Sequence, residues 1–420
     1  MLIRLILLIL LATNIVTAIP SSEYSNVLLV TNTNSQDSID ISNAFISSRN
    51  ITKQVNISVS TSESVSFSTF NTSIRQPIEA YLNANGITSV DYIVLTKGIP
   101  IRYNADSVCR VSSVDGALSI ILSTYSSNIC AGTSTFSGRV TNPMFGNNTR
   151  ANKTYYDIYI VSRLDGYTKE DVIRLFNNTN NSVNVTSNGA RYLLDANPSK
   201  TGGYLTWNNR IGAAHTFLNT TVNVTGIFDN TTTFRNNTNN ISIYYSWGSN
   251  DGGTASISNS SQWNLTFRYG SIADTAVSTS GRSFLNSTTY GQSLIADLIR
   301  MNVTFVKGYT NEPYLSAISY PEIVVNRYYS NYTVAESMYM GSKYLNWMDL
   351  YVGDPKVINN DYKFLVTNNG TEDVNISCSS TYSDTRFTCT TGGCYYIDSN
   401  CEYNSTGSSR KYVCTTVSCT

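Results

Sequence analysis

Short apolar runs bounded by turn residues alternate with stretches of helical spacing along most of the chain. Val27-Leu28-Leu29-Val30 is an uninterrupted apolar run that ends in Thr31-Asn32-Thr33-Asn34. Ser38 to Arg49 then carries Ile39, Ile41, Ala44 and Phe45 at helical spacing. The same alternation predicts strands at 91–96, 157–161, 190–194, 222–228, 241–246, 272–277, 303–306 and 350–352. Between them it predicts helices at 76–82, 113–122, 169–176, 211–218, 293–301, 321–328 and 334–346. Strands separated by helices need crossover connections, so the pattern predicts an α/β fold with a mostly parallel sheet and flanking helices over residues 22–357. The Asn-rich stretches at 177–188 and 230–240 read as exposed loops.

From Asn359 the pattern changes to short alternating strands at 364–366 and 374–376. Six cysteines follow: Cys378, Cys389, Cys394, Cys401, Cys414 and Cys419. Residues 358–420 read as a small disulfide-stapled β module, the usual solution for a segment too short to bury much core. Its pairing is open on sequence alone. The spacing lacks the His or Cys-x-x-Cys pairs of a zinc site, so no metal and no cofactor are expected. Cys109 and Cys130 bracket a predicted helix and are expected to pair with each other.

The first residues, MLIRLILLILLATNIVTAIP, combine Arg4 with a short apolar run and a small Thr17-Ala18 pair. This reads as a signal peptide over residues 1–18, and the membrane is expected to matter only if that segment is uncleaved. Export agrees with the even count of eight cysteines and with dense Asn-x-Ser/Thr sequons. Candidate glycosylation sites are Asn50, Asn56, Asn71, Asn152, Asn184, Asn223, Asn264, Asn302, Asn331, Asn375 and Asn404. Charged residues are only 13% of the 420, against roughly 25% in typical soluble chains. Ser, Thr, Asn and 30 Tyr must keep the surface wet, helped by glycans if the sequons are used. With 28 basic and 28 acidic side chains and no basic run, nucleic acid is not an expected partner.

Ligands bind beyond the carboxyl ends of parallel strands, and charges at those ends stand out in a chain that uses so few. Lys97, Arg163, Asp165, Asp251, Lys307, Glu312 and Asp354 each follow a predicted strand, so they form the candidate cleft. The alternative is that each caps a helix or balances a buried neighbour. His215 is the only histidine. It lies on a predicted helix, where a structural role is expected, and a Ser-His or Cys-His mechanism would have to use it. Phosphate-binding glycine loops are missing. Paired glycosidase carboxylates are defined in space and stay open.

Several runs resemble an uncharacterised family of exported, mostly bacterial proteins. They are Asp91 to Pro100 (DYIVLTKGIP), Ser162 to Tyr167 (SRLDGY), Tyr244 to Asp251 (YYSWGSND), Val306 to Tyr309 (VKGY), Glu312 to Leu315 (EPYL) and Gly353-Asp354-Pro355. That resemblance implies ancestry and no activity. A more distant one is to gingipain-type cysteine peptidases of caspase-like fold. In those, one strand ends in Gly-His-Gly and a later one in the nucleophilic Cys. Here Ser246-Trp247-Gly248-Ser249 stands at the first position and Val277-Ser278-Thr279-Ser280-Gly281 at the second. The resemblance implies that Trp247 replaces the histidine and Ser278 the cysteine. Indole is no base, and an unassisted serine hydroxyl is barely nucleophilic.

Cysteine-peptidase activity is therefore not expected. The leading expectation is a secreted or cell-surface glycoprotein that binds a glycan, peptide or envelope partner. The alternatives are an extracellular hydrolase using carboxylates and Lys at the sheet edge, and a structural envelope glycoprotein.

Overall fold

The computed structural model describes residues 24–181, 191–222, 224–251, 264–286 and 291–359, and the backbone of five short strands from 382 to 414. The chain divides into two compact units, Met1–Asn360 and Asp361–Thr420. The first is built on one ten-stranded sheet. Its strands, numbered along the chain, are β1 (Val27–Asn32), β2 (Lys53–Ile57), β3 (Tyr92–Thr96), β4 (Ile160–Leu164), β5 (Arg191–Ala196), β6 (Gly226–Asn230), β7 (Asn237–Ser246), β8 (Asn264–Thr275), β9 (Phe305–Tyr309) and β10 (Asp349–Gly353).

Their order across the sheet is β6-β5-β7-β8-β9-β10-β4-β3-β1-β2. Strands β1 to β4 make one half, and β5 to β9 make the other. The last strand, β10, fills the gap between the halves. It runs antiparallel to β9 over its whole length and bridges to β4 at Val352–Arg163. The sheet is therefore mostly parallel, as the alternation predicts. All six residues of β1 and all five of β3, β9 and β10 are buried. Helices on both faces explain why these strands read as continuous apolar runs. Each fully buried Leu, Ile or Val contributes roughly 1.5–3 kcal/mol.

Local rules set the crossovers. Helix α1 (Gln36–Arg49) starts where the Ser35 side chain accepts from the Ser38 amide, and it stops at Asn50 in the left-handed region, φ 52°. The helix at Val334–Met340 opens on a capping box between Thr333 and Glu336.

Several boundaries differ from the pattern. The helix predicted over 334–346 ends at Met340, and Tyr344–Leu345 instead forms a strand against Val140–Thr141. The helix predicted over 113–122 is only Val114–Leu118. The strand predicted at 222–228 is shifted to Gly226–Asn230, because a π-helical turn, Phe217–Thr221, extends the preceding helix. The strand predicted at 157–161 begins at Ile160, since Asp157 adopts φ 57° and ends a short helix. Edge strand β2 has alternating exposure and few apolar residues, and the apolar pattern misses it.

In the second unit, Tyr382–Ser383, Phe387–Thr390 and Gly393–Tyr396 form an antiparallel group, and Cys401–Asn404 pairs with Lys411–Cys414. The strands expected at 364–366 and 374–376 and the six tail cysteine side chains lie outside the described residues, as do the signal segment, Asn184, Asn223, Asn375 and the Asn404 side chain. Among the described residues no helix is long and apolar enough to cross a membrane.

Candidate functional site

Strands β7 and β8 are parallel neighbours, with Ser246 opposite Thr275 at their carboxyl ends. Two turns therefore leave the sheet side by side. The first begins at Trp247 and makes a tight turn through Gly248–Asn250. Gly248 has φ 54°, and a Cβ there would stand 2.8 Å from Val277 Cγ2, so glycine alone fits. The second turn runs through Ala276 and Val277 to Ser278, held by the Ala276 amide donating to Ser246 O at 2.9 Å. Glu312 enters from the loop after β9.

These segments line a pocket of about 470 Å³. Trp247, Asn250, Ser278 and Glu312 lie on it together with Tyr204, Tyr309 and Tyr314. The Trp247 indole N–H donates to Asn208 Oδ1 at 2.8 Å, and Trp207 packs edge-on against the ring at 5.0 Å. Lys200 Nζ sits 5.1 Å from the Trp247 ring centroid and donates to Asn250 O at 2.6 Å. Ser278 Oγ lies 3.1 Å from Gln292 Oε1 and 3.3 Å from Glu312 Oε1. Gln292 in turn donates to Asn250 Oδ1 at 3.2 Å and accepts from Thr279 Oγ1 at 2.8 Å. No His or Cys is among the described residues that line the pocket.

The other sequence candidates are placed elsewhere. Arg163 is inside β4, fully buried, and grips Asp115 through Nε at 3.0 Å and Nη2 at 2.5 Å. Its Nη1 reaches Asp165 at 3.1 Å, while the carbonyls of Ile99 and Pro100 accept from the same guanidinium. Lys97 joins Asp165 at 3.3 Å and donates to Gly166 O at 2.6 Å. The KGIP and LDGY runs thus meet in one ion-paired knot beyond β3 and β4, outside the pocket lining. Desolvation pushes the Asp115 carboxyl up despite the opposing pull of Arg163.

Lys307 is also an interior strand residue with no exposed surface; it pairs with Asp349 at 2.9 Å and donates to Ala317 O at 2.6 Å. It does not face the cleft. Asp354 lies away from the cleft for a different reason. Because β10 runs antiparallel to β9, Asp354 leaves the sheet at the rim opposite the carboxyl end of β9, beside Tyr24 ahead of β1. There Asp354 accepts from Arg49 Nε at 2.8 Å and from Tyr24 Oη at 2.8 Å, all three buried. His215 shares a hydrogen bond with Tyr192 at 3.0 Å and stacks on Phe228 at 4.7 Å, a structural setting. Cys109 and Cys130 form a disulfide.

Asp251 is buried and accepts a hydrogen bond from Asn197 Nδ2. Close to it lies a residue the apolar pattern misses, Asp195. The predicted strand stops at Leu194, whereas β5 continues through Asp195 to Ala196. Ser246 Oγ donates to Asp195 Oδ2 at 2.9 Å. Burial, aided by the charge of Asp251, pushes the Asp195 carboxyl up to about 7. Tyr204, Asn208, Gln292 and Tyr314 were equally invisible as site residues, because nothing local marks a polar or aromatic loop residue as pocket-facing.

No family model matches the chain, and no curated protein matches it. The chain is similar to a solved structure described as "Structure of Protease", at 8% identity and a TM-score of 0.46 over 85% of this chain and 83% of that one. The class defined by fold and site is thus an α/β protein with a mostly parallel ten-stranded sheet and an aromatic pocket at the carboxyl ends of β7, β8 and β9.

Proposed function

We propose that the chain is a non-peptidase binding protein of caspase-like architecture, secreted or displayed on a surface, whose pocket stands where a peptidase would carry its dyad. The observation that carries this reading is the placement of Trp247 and Ser278. They follow two adjacent parallel strands and line one pocket, as the gingipain resemblance requires of its histidine and cysteine. In those places stand an indole engaged with Asn208 and a hydroxyl beside Gln292 and Glu312. Neither arrangement supplies an imidazole base or a thiolate. Among the described lining residues none is a sequon asparagine.

The competing hydrolase reading draws on Glu312, a carboxylate 3.3 Å from the Ser278 hydroxyl. Glycosidase chemistry of the usual kind needs a second carboxylate across the bond, and Glu312 is the one carboxylate among the described lining residues. The test is covalent. The purified full chain is treated with a fluorophosphonate and with iodoacetamide, and separately with a peptide mixture read by mass spectrometry. Neither labelling at Ser278 nor cleavage is expected. Cleavage that disappears in Ser278→Ala, or a fluorophosphonate adduct on Ser278, overturns the proposal.

A further inference from the structure

The pocket has two aromatic walls and a polar floor. On one side Tyr314 lies face to face with Phe136, centroids 4.4 Å apart and planes 3° from parallel. Arg139 covers Phe136 at 4.2 Å and also contacts the Tyr344 ring at 4.3 Å. Phe136 is thus sandwiched, and the stack braces Tyr314 as a platform. On the other side Tyr204 meets Trp247 edge-on at 5.8 Å. Tyr204 and Tyr314 are 55% and 52% exposed, so both rings are open to a ligand. Between the walls lie Asn250, Ser278 and Glu312, which offer amide, hydroxyl and carboxylate groups.

We infer that the ligand is a short neutral oligosaccharide. The inference rests on the reading of the pocket as a binding site. Flat aromatic faces suit the C–H faces of sugar rings, and a floor of amide, hydroxyl and carboxylate suits their hydroxyls. No Lys or Arg is among the described lining residues, and Glu312 disfavours an anionic chain. A peptide held by strand addition needs an unpaired strand edge. The strands beneath the pocket, β7, β8 and β9, are each paired on both sides, and the sheet edges are β2 and β6.

The experiment titrates the full chain with chitin and cellulose oligomers, from monomer to hexamer, and with oligogalacturonate as the acidic counterpart. Tryptophan fluorescence and calorimetry read the binding. A neutral oligomer is expected to bind, more tightly than its monomer and than oligogalacturonate. Tyr314→Ala and Tyr204→Ala are each expected to weaken binding roughly tenfold, with Tyr314→Phe close to wild type. Both tyrosines are half exposed, so an unchanged unfolding midpoint separates lost contact from lost fold. Absence of binding by every neutral oligomer, preference for the acidic chain, or indifference to both Ala variants overturns the inference. If the covalent probes also leave Ser278 unlabelled in that case, the non-catalytic reading still stands. Oligomer binding followed by its hydrolysis would instead sink that reading and keep the sugar.

Discussion

The indole N–H of Trp247 donates to Asn208 Oδ1 at 2.8 Å, which commits the only polar atom of that ring to the protein, and the ring itself is buried at the pocket's edge against Trp207 and Tyr204. Asn208 also ties its own amide to Asn197 O at 2.6 Å, so one side chain holds the Trp247 turn against the end of β5. Replacing it with leucine leaves the buried indole N–H without that acceptor. Asn208→Leu is expected to lower stability by about 1–3 kcal/mol and to change Trp emission, measured together in one urea titration.

The Arg163 knot is expected to behave as structure. Removing the Asp115 carboxylate takes the bidentate partner from a guanidinium with no exposed surface and leaves it only Asp165 and two carbonyls, so Asp115→Ala should cost up to about 3–5 kcal/mol. Lys97 keeps 15% of its side chain in water, and Lys97→Met should cost about 1 kcal/mol or less. Chemical denaturation of the two variants at neutral pH checks the contrast. Equal costs would show that the knot is not organised around Arg163.

The buried pair Lys307–Asp349 calls for a double-variant cycle. Lys307→Met and Asp349→Leu each leave one charge unmatched in the core, and each is expected to destabilise by about 3–5 kcal/mol. Together they remove both charges and should recover most of that loss. Additive losses would contradict an interior ion pair.

Stability is expected to rise as the solution is acidified from pH 8 to pH 5. The Asp195 carboxyl stands at about 7 in the folded chain, against about 3.9 when unfolded. Between those values the folded state holds the extra proton, so its stabilising effect is full below the unfolded value and is lost as pH rises through about 7. Asp274, pushed up to about 6 chiefly by burial, acts in the same direction. Thermal unfolding across this range should therefore show a higher midpoint at the acid end. Asp195→Asn should flatten the slope without abolishing it, and an unchanged slope would show that Asp195 does not hold the proton.

Removal of the Cys109–Cys130 bond, which closes a 21-residue separation, should cost about 3 kcal/mol. Paired Cys109→Ser and Cys130→Ser substitutions, compared with wild type by denaturant midpoint with and without reductant, test it. Reductant should then affect the wild type more than the variant.

Much of the architecture was legible in the order of apolar runs. Every predicted strand from 91–96 to 350–352 overlaps a strand of the sheet, because strands covered on both faces are mostly apolar. The ends were less legible. The pattern closes strands before Arg163, Asp195 and Lys307, treating a charged residue as a terminator. In the folded chain all three are strand interior: Arg163 is matched by Asp115, Lys307 by Asp349, and Asp195 is held near protonation by burial.

The sequence by itself determined the class of fold and that residues 246–249 and 277–281 hold neither histidine nor cysteine, since both follow from which residue types stand in which order. Only the tertiary structure decided which polar residues share a site. Trp247, Ser278 and Glu312 meet because β7, β8 and β9 lie side by side, while Asp354 is carried to the far rim because β10 runs the other way. Strand direction and neighbour choice are settled by packing between segments distant in the chain, such as β4 and β10, and no local run of residues encodes them.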